Sequence, residues 1–231
     1  MKNNLTGIIC AMPLEMEGLR AQMTDISTET VSGIEFVCGN IGTAPVVTAV
    51  CGVGKVFAAL CAQTMILRYA PARMINTGVA GSLSPELTIG NIAIACHVVQ
   101  HDMDTSPLGD PVGLLSGINI VHIPADETLC KKLSESATTC DLTVKSGTIA
   151  TGDQFISTTE QKTRIRDTFG AIACEMEGGA IGHVCYVNRM PFAILRAISD
   201  GGDEAAQMDY PTFARMAAAN SVRVLVHFLQ H

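Results

Sequence analysis

Leu5-Thr6-Gly7-Ile8-Ile9-Cys10-Ala11-Met12, stopped by Pro13, is a short and almost wholly apolar run. Such a run predicts a strand buried on both faces, as in a sheet covered by helices on each side. After Pro13 the pattern turns helical over 14–23, with Leu14, Leu19 and Met23 apolar. The alternation then repeats along the chain. Strands are expected at 34–38, 46–50, 74–77, 92–99, 118–123, 142–150, 171–176 and 192–198. Helices are expected at 56–69, 126–135, 158–169, 179–186 and 210–230, with Pro211 in the first turn of the last. Gly39, Asn40 and Gly42 read as a turn, and Gly78 to Gly81 as the close of the strand before them. The stretch 101–116 has no clear period and reads as a functional loop. With no composition break and no repeat, the pattern gives one α/β domain over 1–231 around a buried sheet.

Composition agrees with a large core. Of 231 residues, 48 % are apolar and 16 % charged, which excludes a disordered chain. Gly at 21 and Pro at 9 are ordinary and exclude collagen-like or low-complexity sequence. Fifteen Lys and Arg against 22 Asp and Glu leave a charge of −7, with no electrostatic pull toward nucleic acid or an anionic membrane. Seven Phe, three Tyr and no Trp give little to stack bases on.

The nine cysteines are odd in number, contain no C-x-x-C pair and lie mostly in apolar runs such as those around Cys10, Cys96 and Cys174. They read as buried free thiols in a reducing compartment. The opening residues lack a signal-peptide pattern. No window reaches the ~18 apolar residues of a spanning helix. A cytoplasmic protein is expected.

Ligands of buried-sheet α/β proteins gather at the carboxyl ends of strands. Standing at such ends are Glu15, Gly52 and Gly54, Gly78 and Gly81, Asp153, Glu175 and Glu177, and Asp200. Any one carboxylate could cap a helix. Glu15, Glu177 and Asp200 together point to chemistry, because lone buried carboxylates are costly. Other motifs fail. Gly52-Val53-Gly54 has Phe57 where a dinucleotide site needs a third Gly, and Gly54-Lys55 has Ala49 and Val56 where a P-loop needs Gly and Ser or Thr. No G-x-S-x-G elbow occurs. His97 and His101 in extended chain stand ~13 Å apart, too far for one metal ion. His183 and Cys185 read as packing residues of an apolar helix. What remains is a site of carboxylates with no metal and no cofactor. It suits cleavage through an oxocarbenium-like cation, one carboxylate activating water and one acid protonating the leaving group.

The blocks that carry this site resemble a known family. Ile8-Ile9-Cys10-Ala11-Met12-Pro13-Leu14-Glu15, Asn76-Thr77-Gly78-Val79-Ala80-Gly81, Gly152-Asp153-Gln154-Phe155-Ile156, Glu175-Met176-Glu177-Gly178 and Arg196-Ala197-Ile198-Ser199-Asp200 occur in the order of the 5′-methylthioadenosine/S-adenosylhomocysteine nucleosidases. The resemblance spans essentially the whole chain. It implies a nucleoside phosphorylase-like, three-layer α/β/α fold with a central mixed sheet, and a homodimer acting on a small nucleoside. It implies that Glu15 activates water and that Asp200 protonates adenine N7. Glu177 would bond the ribose hydroxyls, with Met176 against the sugar. Phe155 would stack on adenine, Ile156 would meet its edge, and Ala80 and Gly81 would line the floor. Val53 and Tyr210 would surround the 5′-thio group, and Met12 and Ser199 complete the substrate contacts. Leu108, after His101-Asp102-Met103-Asp104, would reach the neighbouring subunit's pocket.

Pro13-Leu14 and Val79 depart from the family's more acidic residues and Ser. The superfamily also holds phosphorylases, which place an Arg and a Ser where this chain has Asn76 and Val79. A phosphate dianion without Arg is poorly held, and Glu15 would repel it, so hydrolysis is favoured. A non-catalytic nucleoside-binding protein of this fold would need neither acid nor base.

Overall fold

The computed structural model describes residues 4–231; the first three residues of the expected domain lie outside the described ones. In chain order the elements are β1 (Thr6–Cys10), α1 (Pro13–Arg20), β2 (Met23–Val31), β3 (Ile34–Ile41), β4 (Ala44–Val50), α2 (Lys55–Tyr69), β5 (Arg73–Ser82) and β6 (Ile92–Gln100). After a 3₁₀ turn at Ser106–Leu108 come β7 (Ile123–Pro124), α3 (Glu127–Thr139), β8 (Val144–Thr151), α4 (Thr159–Phe169), β9 (Ala171–Glu175), α5 (Gly178–Val187), β10 (Phe192–Asp200) and α6 (Ala206–Gln230).

The fold is α/β with a mixed sheet, as the alternation predicts. β1 lies between β4 and β5, parallel to both, and β5 is also parallel to β10. A second parallel set, β6, β8 and β9, runs the opposite way. The sets meet at β10–β6 and again where β5 pairs with β9 only at Gly81–Cys174 and Ser82–Ala173. This second seam joins the carboxyl tips of both sets, so both sets deliver their last residues to one place. The pairings also close β5, β10, β6, β8 and β9 into a ring, with β1, β4, β3 and β2 extending from it. Helix α6 packs on β5, β10, α1 and α3, and α2 packs on α5. β1, β9 and β10 are buried along their whole length.

Several boundaries differ from the sequence expectation. Helix α1 stops at Arg20, and 23–31 form the edge strand β2, whose mostly exposed Thr, Asp, Ser and Glu residues carry no apolar stripe to betray it. Gly39 and Asn40 are not a turn. They pair with Val46 and Pro45 inside β3, and Gly42-Thr43 makes the turn. β5 does not stop at Thr77 but continues through Gly78–Gly81 beside β10. Of 118–123 only Ile123 is strand, paired with β6, while Ile120 makes a lone bridge to Leu115. Helix α6 starts four residues before Tyr210, which puts Pro211 in its second turn. The described cysteines are all free, but Cys96 is exposed because β6 bulges between Ala95 and His97.

Candidate active site

Where the carboxyl tips converge lies a cavity of about 200 Å³, lined by Glu15, Glu177 and Asp200 together. Each carboxylate comes from a different strand end, and each is held differently.

Glu15 is the third residue of α1, after Pro13 at its first position and Met12 at the cap. Its Oε2 accepts the N–H of Ala11 (2.9 Å) and of Met12 (2.8 Å), and its Oε1 accepts the N–H of Val79 (3.1 Å). Three backbone donors and a helix N-terminus favour the anion. Burial opposes them and wins, so the carboxyl lies above its ordinary range, with Arg196 and the N–H donors pulling it down. The result is a fixed carboxylate more basic than a free one, the property a general base needs. Gly78 makes room for it. A Cβ there would stand 2.6 Å from Glu15 Oε1 and would clash with an Arg196 nitrogen.

Beneath the cavity lies Arg196, 1 % exposed. Its Nη2 donates to Asn76 Oδ1 and Glu175 Oε2, and stands 3.5 Å from Glu177 Oε2. Asn76 donates in turn to Ile9 O at 3.0 Å. Glu175 also accepts from the Thr151 hydroxyl and from the N–H of Glu177 and Gly178 at 3.0 and 2.7 Å. Every acceptor around this guanidinium is thereby fixed, which a buried cation requires.

Glu177 is the cap of α5, and its Oε1 accepts the Gly54 N–H at 2.9 Å. Among the described residues its Oε2 has only the long contact to Arg196, leaving lone pairs for a ligand. Burial, offset by Arg196 and reinforced by Glu175, raises its carboxyl from 4.5 to about 7. The folded protein then keeps a proton that the unfolded chain releases, so this contribution to stability is complete below about pH 4.5 and is lost as pH rises through about 7. Melting curves across that window should fall with pH, and Glu177→Gln should flatten them. An unchanged slope would show that the group titrates elsewhere.

Asp200 ends β10 and is also raised by burial, against the pull of the Gly202 N–H and the Ser199 hydroxyl. Those donors stand 2.9 Å from Oδ1 and 2.9 Å from Oδ2. Ser199 Oγ is also 3.4 Å from Ala80 O. Its hydrogen can turn toward that carbonyl, leaving the oxygen to accept from a protonated Asp200. The pair thus tolerates both charge states. Gly81 is tight here as well, since a Cβ would lie 2.8 Å from Asp200 Oδ1.

The remaining expected residues Met12, Val53, Ala80, Gly81, Ile156, Met176, Ser199 and Tyr210 all line the cavity, as does Phe155. Phe155 and Tyr210 meet edge to face at 5.7 Å, and the Tyr210 hydroxyl donates to Met12 Sδ at 3.1 Å. Leu108 does not line this chain's cavity and is 83 % exposed on its 3₁₀ turn. Asp153 is outside the cavity too, accepting the Lys55 N–H at 2.8 Å. His183 sits against Gln100, and Cys185 is buried. Among the described residues no group of three or more His, Cys, Asp or Glu is placed to hold a metal ion.

Sequence reasoning placed Val79 at the site but missed Ala11, Gln154 and Cys174 as lining residues, and Arg196 beneath them. For Arg196 the signal was present: a lone cation inside Phe192-Ala193-Ile194-Leu195-Arg196-Ala197-Ile198 must have buried partners.

Residues 6–230 match the model of the phosphorylase superfamily. A 5′-methylthioadenosine/S-adenosylhomocysteine nucleosidase of Shewanella loihica is 35 % identical over 227 residues, covering 97 % of this chain and 98 % of that one. The Neisseria meningitidis enzyme of that name, solved with methylthio-immucillin-A, superposes with a TM-score of 0.95 at 31 % identity, covering 98 % of this chain and 99 % of the other. A futalosine hydrolase of Helicobacter pylori superposes at 0.93 with 32 % identity, covering 97 % of each chain. No helix among the described residues is long and apolar enough to cross a membrane.

Proposed function

The chain belongs to the phosphorylase superfamily and, within it, to the 5′-methylthioadenosine/S-adenosylhomocysteine nucleosidases; it is an N-glycosyl hydrolase of 5′-thio-substituted adenosines, and we propose that Glu15 is its base and Asp200 its acid. Water held by Glu15 adds its oxygen to C1′ and passes a proton to the carboxylate. The C1′–N9 bond breaks as Asp200 delivers a proton to N7, so adenine leaves neutral. The sugar carries positive charge as the bond opens, and the free Oε2 of Glu177 accepts from its hydroxyls. Phe155 stacks on the base, Ile156 meets its edge, and Ala80 and Gly81 form the floor. Met176 lies against the ribose. Met12, Val53 and Tyr210 enclose the 5′-thio group. Water, an acid and a base complete this chemistry, and no cofactor is assigned.

The observation that carries hydrolysis over phosphorolysis is the seat of Glu15. The Val79 N–H, which would otherwise face an incoming oxyanion, is already bonded to a carboxylate. The buried Arg196 guanidinium is paired through Nη2 with Asn76, Glu175 and Glu177. A phosphate dianion would meet four carboxylates and no Lys or Arg among the residues lining the cavity. Phosphate should therefore leave the rate of adenine release from 5′-methylthioadenosine unchanged, and the sugar product should be the free thioribose. A strict phosphate requirement would overturn this reading. Because the chain also resembles a futalosine hydrolase, futalosine-type nucleosides such as 6-amino-6-deoxyfutalosine should be assayed beside 5′-methylthioadenosine.

The enzyme is proposed to act as a homodimer of single-domain subunits. Val56, Phe57 and Leu60 expose an apolar face on α2 next to Val53 at the cavity mouth, and Leu108 extends beyond its own site. An exposed apolar face of this kind marks an interaction surface. Free thiols suit a reducing cytoplasm.

A further inference from the structure

Two loops that meet at the Lys55–Asp153 hydrogen bond each supply part of the cavity wall. Loop 152–156 brings Gln154, Phe155 and Ile156 to the base side, while the turn at 52–54 brings Val53 and points the Gly54 N–H at Glu177 on the sugar side. Neither loop has a strand or helix of its own to fix it. Asp102, just beyond β6 and outside the cavity lining, bridges them a second time. Its Oδ1 takes the Lys55 ammonium at 2.6 Å and its Oδ2 takes the Asp153 N–H at 2.9 Å. Asp153 returns the link by accepting the Lys55 N–H at 2.8 Å. It thereby caps α2, whose own cap residue, Gly54, has no side chain to do so.

We propose that Asp102, through Lys55 and Asp153, is a positioning residue that sets the spacing between the base-holding and sugar-holding walls. Its neighbours argue against a merely superficial ion pair. The Lys55 and Asp102 side chains are 20 % and 18 % exposed, so solvent screens the pair less than an exposed one. Although burial works the other way, the Lys55 ammonium and the Asp153 N–H hold the Asp102 carboxyl below its ordinary range. Asp102 thus holds Lys55, the chain neighbour of the Gly54 whose N–H reaches Glu177, and Asp153, two residues before Phe155.

This inference rests on the nucleosidase reading and makes a distinct demand. A ligand that spans both walls needs their spacing, whereas adenine alone needs one wall. In the full-length protein, Asp102→Asn should raise KM for 5′-methylthioadenosine about tenfold, the effect of losing one charge-assisted hydrogen bond. The inhibition constant of adenine should stay within about twofold, because the amide oxygen of Asp102→Asn can still accept the Asp153 N–H that seats the base loop. Lys55→Met, which keeps the Asp102 bond to Asp153, should show the same pattern at smaller size, and it carries the test if Asp102→Asn does not fold. KM and adenine inhibition rising in step would show that Asp102 only holds its own loop, and no change in either would show that it positions nothing; both overturn the proposal. A wild-type protein that leaves 5′-methylthioadenosine intact overturns the functional reading first, and this proposal with it.

Discussion

Asp200→Asn should cost at least ~10²–10⁴ in kcat for 5′-methylthioadenosine, the usual worth of a positioned general acid, while the protein stays folded. Asn fits the site. Its carbonyl oxygen can accept the Gly202 N–H that Oδ1 now accepts. Its amide can face Ser199, whose hydroxyl then turns to Ala80 O. The variant still offers N7 a hydrogen bond but has no proton to transfer. Adenine must then leave as an anion, and the barrier rises by the cost of that charge. The effect should be large because the wild-type carboxyl is raised by burial, so that it holds its proton nearer neutrality than a free Asp does. Near wild-type turnover in Asp200→Asn would remove Asp200 from the acid role.

Legibility of the site in the sequence depended on which physical signal each residue left. Glu15, Glu177 and Asp200 could be found because each is a carboxylate at the end of an apolar run, and the carboxyl tips of both parallel sets converge at the β5–β9 seam. The seam itself was not legible. It rests on a two-residue antiparallel pairing between strands about ninety residues apart, which leaves no local period. Gly78–Gly81 misled for a related reason: glycine marks both turns and close backbone approach, and only Arg196, Glu15 and Asp200 packed against it decide between them. Strand β2 escaped because an exposed edge strand carries no apolar stripe. Asp102 escaped because its partners, Lys55 and Asp153, are 47 and 51 residues away and neither lies in its own element.

Glu15→Gln should separate chemistry from binding more sharply than any other change. The amide oxygen can take the place of Oε2 and accept both the Ala11 and Met12 N–H groups. The amide nitrogen then faces the Val79 N–H, where two donors meet at the 3.1 Å now occupied by a hydrogen bond. Two of three anchors survive, so the side chain stays in place but cannot take a proton from water. Turnover should fall by at least ~10²–10⁴, with 5′-methylthioadenosine still bound through Glu177, Phe155 and the Gly81 floor. Glu177→Gln should behave differently. It keeps a carbonyl for the Gly54 N–H but, at a pH above the titration of Glu177 at about 7, loses the charged acceptor for the ribose hydroxyls, a hydrogen bond worth about 1.5–3 kcal/mol. Affinity should therefore drop about tenfold or more, along with rate, since that bond tightens as the sugar becomes cationic. Calorimetry with 5′-methylthioadenosine on the two variants compares them directly. Equal affinities would mean that Glu177 does not hold the ribose in the ground state, and that the division of labour between the two glutamates is wrong.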